Sequence, residues 1–515
     1  MCYIKIIKIN KCEEKFTVFW KDVKLMIKRK ARKIVAVFSV LAVFFLFQIG
    51  TFAQEQLLLT ASNEPSEWAV ESVEWSKIYG LAPENMYKNY TSKVTMDELY
   101  SVCVSVYEAA TEQSIIPSDK SLIGDTFSET ILKAYSVGLI KEDEKLEPQR
   151  EVTRLDMVTC TYETIKAAQP VFSFQADIEL TFNDADSIPD EALDAVKYVV
   201  SKGILKGRSN NTLDLESSCS RQELIVFTKN AYEFVRYESG KYSRGAFWKV
   251  SDEDSCVYLL GSVHVADPSM YPLSKEILKA FEEADYLAVE ANVSNAQEAA
   301  LYMMEKAFYK DDNTLYKNVP KEVYNRFVEV IEPYGIRPEM YNKFKPWYAA
   351  LLVQNLLYAE SSFSSEIGID MVLLEKAKDK KEILEIEGAK FQVDLFDSFS
   401  TELQVEFLAS SLAPDNNTQK KSVDMLNDMI NCWKSGDTEG LEKLLFSAES
   451  DSDVDKEFNE KLFISRNNNM TEKVKSYLAD PERKTYLVVV GAGHMVGETG
   501  IVAQLTGEYE IVQIK

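Results

Sequence analysis

The sequence predicts an all-α unit followed by an α/β unit built on a mainly parallel sheet with flanking helices. Three observations carry that expectation. Between about residues 60 and 240 a pair of amphipathic helices recurs three times, at a period of roughly 60 residues, as expected of one helical unit reused. From about residue 246 short apolar runs alternate with amphipathic helices, the texture of a βαβ chain. The chain of 515 residues has two histidines, and each closes the same figure, Gly-x-x-His, behind an apolar run.

The length suits two or three domains. The composition is 46% hydrophobic and 27% charged, ordinary for a globular chain. The 58 Lys and Arg are outnumbered by 82 Asp and Glu, which argues against a nucleic-acid or anionic-membrane binder. Only the start is basic. "KRKARK" (Lys28 to Lys33) precedes the apolar "IVAVFSVLAVFFLF" (Ile34 to Phe47), and small residues follow at Thr51 and Ala53. This order predicts a secretory signal peptide cut after Ala53, since the apolar run is short for a membrane span. Residues 1–25 fit no signal-peptide head, so Met26 is the expected true start. The expected domains are thus a leader at 1–53, helical repeats at 54–240 and an α/β domain at 241–515. Five cysteines lie beyond the leader, Cys103, Cys160, Cys219, Cys256 and Cys432. They are scattered and form no C-x-x-C, so neither a disulfide framework nor a cysteine zinc site is expected.

Within the helical half, each first helix ends at Gly80, Gly138 or Gly203, as a helix C′ glycine does. Each second helix opens at a capping residue, Thr95, Thr153 or Ser220. An acid stands three positions on, at Glu98, Asp156 and Glu223, which is the capping-box spacing. This half resembles S-layer homology modules. The matching residues are Trp68-Ala69, Thr153-Arg154-Leu155-Asp156, Ser220-Arg221-Gln222-Glu223, and Asp184 to Asp186 behind Phe182. The first copy departs from the pattern, with Met96 where Arg is expected. The resemblance implies a three-module domain that binds pyruvylated secondary cell-wall polysaccharide. Arg154 and Arg221 are the candidate contacts, because a guanidinium fork suits a ketal carboxylate. It also implies an S-layer-associated, extracellular location.

In the second half "CVYLLG" (Cys256 to Gly261) reads as a buried strand and Pro272 to Ala284 as an amphipathic helix with proline at its start. Asp285 to Ala291 reads as a second strand, parallel to the first through a right-handed crossover. His264 and Glu290 then follow strand ends at one carboxyl edge, where α/β sheets bind ligands. Lys380 to Gly388 reads as a strand ending at Glu387, and Thr485 to His494 as one ending at the second Gly-x-x-His. "GETGIVAQLTG" reads as a helix and "YEIVQI" as a last strand. Two imidazoles and one or two carboxylates at a sheet edge suit a divalent transition metal, with Mn, Co or Zn the expected ions.

The stretches "VYLLGSVHVADPSMYPL", "ADYLAVEAN", "KPWYAALL", "EIGIDMVLLEKAK", "EILEIEG", "SRNNNM" and "VVVGAGHMVGETGIVAQL" resemble the TraB/PrgY/GumN family, which includes the Tiki proteases. That resemblance implies an α/β fold related to erythromycin esterase and ChaN-like proteins. It also implies metal-dependent peptide hydrolysis, with His264, Glu290 and His494 essential and Arg466 matching a recurring Arg-Asn. Glu385 stands where relatives tend to have glycine. In the resulting scheme His264, His494 and Glu387 hold the metal, Glu290 is by preference the base, and Arg466 stabilises an oxyanion. The two glutamates are interchangeable at this level. Neither G-x-S-x-G nor H-E-x-x-H occurs, so serine-hydrolase and zincin mechanisms have no support. The rivals are a peptide-sequestering surface protein of the PrgY type, without turnover, and an interaction protein that works mainly through its wall modules.

Overall fold

The computed structural model describes residues 64–118, 128–141, 146–292, 296–359, 363–412, 416–446 and 452–515. The expected leader and its cleavage site lie outside them. The chain divides into two compact units: a helical one, Gln56–Tyr242 with Pro268–Pro272, and an α/β one, Ser243–Asp267 with Leu273–Lys515. No helix of the described residues is long and apolar enough to cross a membrane.

The helical unit is built on α1 (Val70–Ile78), α2 (Met96–Thr111), α3 (Glu129–Ser136), α4 (Arg154–Ala168), α5 (Leu193–Ser201) and α6 (Arg221–Glu238). Helices α1, α3 and α5 close alike. Gly80, Gly138 and Gly203 take φ of 66°, 76° and 68°. The next residue in each case, Leu81, Leu139 or Ile204, donates its N–H back to Ser76, Ala134 or Val199, the Schellman arrangement that a left-handed C′ residue permits. Helices α2, α4 and α6 open on complete capping boxes, Thr95 with Glu98, Thr153 with Asp156, and Ser220 with Glu223. The segments before these three helices join in a ring. Val94 N–H donates to Cys219 O (3.0 Å), Cys219 N–H to Val152 O (2.8 Å), and Val152 N–H to Val94 O (2.9 Å). Each repeat therefore satisfies the backbone of another, and their apolar faces need not stand alone.

The α/β unit carries a mixed six-stranded sheet in the order β4-β3-β5-β2-β1-β6. Its strands are β1 (Ala246–Ser251), β2 (Cys256–Ser262), β3 (Tyr286–Val289), β4 (Glu382–Glu385), β5 (Tyr486–Gly491) and β6 (Glu510–Gln513). The helices nearest the strand ends are α7 (Lys275–Glu283), α8 (Ile369–Ala377), α9 (Ala389–Asp397), α10 (Ser465–Leu478), α11 (Ala492–Met495) and α12 (Ile501–Leu505). Strands β4, β3, β5 and β2 run parallel; β1 pairs antiparallel with β2 and β6 antiparallel with β1, so β1 alone runs against the others. The expected mainly parallel sheet is thus a mixed one. Strands β2 and β3 are parallel through α7, but β5 lies between them. The reason is burial: every residue of "YLVVVG" in β5 is buried, which suits the centre of a sheet covered on both faces. The strand expected to end at Glu387 stops at Glu385, and Glu387 stands in the turn beyond it.

Candidate functional site at the carboxyl edge

The parallel register sets the site. Val289 pairs with Val489, and Leu260 pairs with the same Val489, so β3 ends two residues short of β2 and β5, which end together at Ser262 and Gly491. Glu290 is the first residue past β3, His264 the second past β2, and His494 the third past β5, on α11. Glu387 joins them because its N–H, and that of Gly388, donate to Glu290 O at 3.0 and 2.8 Å. The first Gly-x-x-His has its glycine for contact with the second. A Cβ on Gly261 would stand 2.8 Å from Ala492 Cα. Gly368 is required similarly, since a Cβ there would fall 2.5 Å from His264 O.

Arg466 lies at the centre of the carboxylates. Its Nε and Nη2 donate to the two oxygens of Glu387 at 2.8 and 2.7 Å, and Nη2 also donates to Glu290 Oε2 at 2.8 Å. All three side chains are at least 95% buried. Glu290 has further donors: Gln392 Nε2 on Oε2 at 3.0 Å and the Gly491 N–H on Oε1 at 2.6 Å. Burial alone would disfavour its charge. Arg466, the two imidazoles and the Gly491 N–H outweigh that and hold its pKa at about 2. For Glu387 burial prevails over Arg466, and the neighbouring Glu290 charge adds to it, so its pKa is raised.

Each imidazole faces an oxygen on its Nδ1 side. His494 Nδ1 lies 2.6 Å from Asn467 Oδ1, and Asn467 Nδ2 donates to Thr499 O at 2.8 Å. The second bond fixes the amide so that its oxygen meets the ring, which makes Nδ1 the protonated nitrogen. Nε2 is then an acceptor; it is buried, has no hydrogen-bond partner, and lies 3.8 Å from Glu290 Oε1. His264 Nδ1 lies 3.1 Å from Asp370 Oδ2, at the start of α8. A cavity beside these groups is lined by Ser262, His264, Glu290, Asp370 and Gln392, with Val289, Ala291 and Val489.

The structure therefore brings together five residues expected from sequence, His264, Glu290, Glu387, Arg466 and His494. It adds Asp370, Gln392 and Asn467. Asp370 and Asn467 stood in quoted stretches, "EIGIDMVLL" and "SRNNNM". A buried acid amid an apolar run was the available signal for the first. Asn467 is buried beside Arg466 on α10, into which a π-helical turn, Glu460–Ile464, leads.

The two histidines should titrate apart. Burial opposes protonation of His264, but Asp370 overrides it and raises the pKa above the ordinary histidine value. Burial and the Arg466 cation hold His494 down at about 3. In metal-free protein, ring-proton NMR should show one imidazole protonating above pH 6.5 and the other neutral to below about pH 4. His494→Ala should remove the non-titrating signal. Two titrations near pH 6.5 would contradict this geometry.

The arginines of the helical unit are already engaged. Arg154 is buried; its Nε donates to Leu213 O at 3.0 Å and its Nη1 to Glu223 at 3.1 Å. Arg221 bonds the backbone of Asn85 and Lys88 and the Glu98 carboxylate. Each reaches the capping-box acid of another repeat. At the first repeat Met96 replaces the arginine, and Asp156 is clamped instead by both Nη atoms of Arg150, at 2.8 Å each. Burial notwithstanding, that fork lowers the Asp156 pKa. A depressed carboxyl stabilises above its unfolded value and loses that contribution as pH falls through the folded one. Asp156→Asn should cost about 1 kcal/mol near neutrality, a typical cap contribution, and the difference from wild type should vanish in acid. Urea unfolding across pH 2–7 measures both.

Residues 246–511 match the sequence model of the TraB/PrgY/gumN family. Residues 181–225, the third repeat, match that of the S-layer homology domain. The protein named "Uncharacterized protein YbaP" in Escherichia coli (strain K12) is 27% identical over 245 residues, which are 47% of this chain and 84% of that protein. Its namesake in Shigella flexneri gives the same figures.

Proposed function

The chain belongs to the TraB/PrgY/gumN family, and we propose that it is a cell-surface, wall-anchored hydrolase of peptides that uses a divalent metal ion. One observation carries the reading: His494 presents a buried, unpartnered Nε2 toward Glu290 while Asn467 holds its Nδ1. His264 has its Nδ1 3.1 Å from Asp370 Oδ2. Metal-ligating imidazoles are characteristically held through the other ring nitrogen by an outer acceptor. Among the described residues no three of His, Cys, Asp and Glu converge closely enough to form a ligand cluster, so the fit rests on this donor chemistry.

His264, His494 and Glu290 would hold the ion. When bound it would supply Lewis acidity to a water and to a scissile carbonyl. Glu387 takes the base role and Glu290 the ligand role, reversing the preference drawn from sequence. A carboxylate held near pKa 2 is a weak proton acceptor, whereas the raised Glu387 is a better one. Arg466 keeps both carboxylates in place and apart, in addition to any contact with substrate oxygen. The α/β unit is proposed to share its ancestry with erythromycin esterase and ChaN-like folds. Peptide hydrolysis is tested by turnover of a peptide library with full-length protein loaded with Mn, Co or Zn. The engagement of Arg466 with both glutamates favours a second reading, peptide capture without cleavage; retained binding with no cleaved product would select it.

The helical unit is proposed to be three S-layer homology modules that hold pyruvylated wall polysaccharide. The shared capping boxes, Schellman turns and backbone ring extend the matched third repeat to the first two. Full-length protein should sediment with purified cell walls. Removing ketal-linked pyruvate should weaken that binding about tenfold, the value of one hydrogen bond to a charged group. Arg154→Ala with Arg221→Ala should weaken it as well, with circular dichroism reporting whether the unit stays folded. Binding unchanged by pyruvate removal contradicts the anchor.

A further inference from the structure

Cys103 and Cys160 are 57 positions apart in sequence, yet the Cys160 thiol donates to Cys103 Sγ at 3.5 Å. Cys103 lies on α2 and Cys160 on α4, two helices packed side by side. They fall near equivalent positions of the first two repeats, eight residues past Thr95 and seven past Thr153. A disulfide needs its sulfurs at about 2 Å, so closing this pair requires a movement of about 1.5 Å, within reach of side-chain rotation. Cys103 is fully buried and Cys160 half-buried. Of the other described cysteines, Cys219 faces Met157 Sδ at 3.5 Å, and Cys432 faces Asp437.

We propose that Cys103 and Cys160 are a dithiol that closes to an intramolecular disulfide, tying the first repeat to the second. The oxidant is a low-molecular-weight disulfide, RSSR. The Cys160 thiolate, the accessible one, attacks a sulfur of RSSR; a Cys160–SR bond forms and RS⁻ leaves, taking up a proton as RSH. The Cys103 thiolate then attacks Cys160 Sγ, the protein disulfide forms, and the second RS⁻ leaves. Two protein thiols are oxidised, one RSSR is reduced to two RSH, and the two thiol protons end on the products. In the free dithiol the Cys160 S–H directed at Cys103 lowers the Cys103 pKa; once Cys160 carries the SR group, Thr164 still favours the Cys103 thiolate against burial. The bond would close a long loop across two packed helices, so its effect on the unfolded chain is large.

The experiment is thiol counting and disulfide mapping on full-length protein incubated with oxidised glutathione. The expected result is loss of two thiols, a mass lower by two hydrogen atoms, and a linked peptide containing Cys103 and Cys160. The oxidised form should unfold at a higher temperature, and dithiothreitol should reverse the shift. In Cys103→Ser the reaction should stop at a glutathione adduct on Cys160; in Cys160→Ser the folded protein should give no adduct at Cys103. No thiol loss, a stable adduct on wild-type Cys160, or a link between any other pair would overturn the proposal. The wild-type mapping decides the matter even where a serine variant fails to fold.

Discussion

Replacing Arg466 with alanine should destabilise the α/β unit by about 3–5 kcal/mol, the cost typical of removing one partner from a buried ion pair. Arg466 is the cation on which Glu290 and Glu387 both depend. Its loss leaves two carboxylates buried against each other, and one of them must take up a proton or admit water. Arg466→Lys should recover only part of this. A lysine offers a point charge and cannot reproduce the paired Nε and Nη2 bonds to Glu387. Urea unfolding of full-length variants gives the measurement. A loss under about 1 kcal/mol would mean that the cluster is solvated, in conflict with its burial.

The second large effect separates the two glutamates. Glu290→Gln should lower divalent-ion affinity by about 10-fold to 100-fold or more and abolish turnover, because an amide is a poor ligand and its neighbours were arranged for an anion. Glu387→Gln should leave the ion bound and lower turnover by about 10²–10⁴-fold, the usual contribution of a positioned base. Isothermal titration with Mn, Co or Zn and peptide turnover by the same preparations measure the two arms. The opposite pattern would restore the assignment of Glu387 to the metal and Glu290 to the base.

Which parts of this were legible in the sequence follows from how local each signal is. Three of the four strand ends were legible, because an apolar run is a local pattern and both histidines and Glu290 follow one; the fourth strand stops at Glu385, two residues before the expected Glu387. The capping boxes were legible for the same reason, as three short spacings. The place of β5 between β2 and β3 was not, because strand order depends on which run is most completely buried, a property of the folded sheet. The partners that hold the imidazoles were beyond pattern reading. Asp370 is 106 residues from His264, and Asn467 is 27 from His494. The dithiol was hidden likewise: Cys103 and Cys160 look scattered until the repeats stack. Arg150 was missed because it precedes its capping box, standing in for the arginine that Met96 displaces in another repeat.

The most direct test of the central claim is the metal content of full-length protein after equilibration with Mn, Co or Zn and removal of free ion. Elemental analysis should find about one divalent ion per chain in wild type, on the usual expectation for a nitrogen and oxygen donor set of this kind. The His264→Ala and His494→Ala variants, checked as folded, should hold none. Wild-type protein that holds no ion, or variants that hold as much as wild type, would contradict the account.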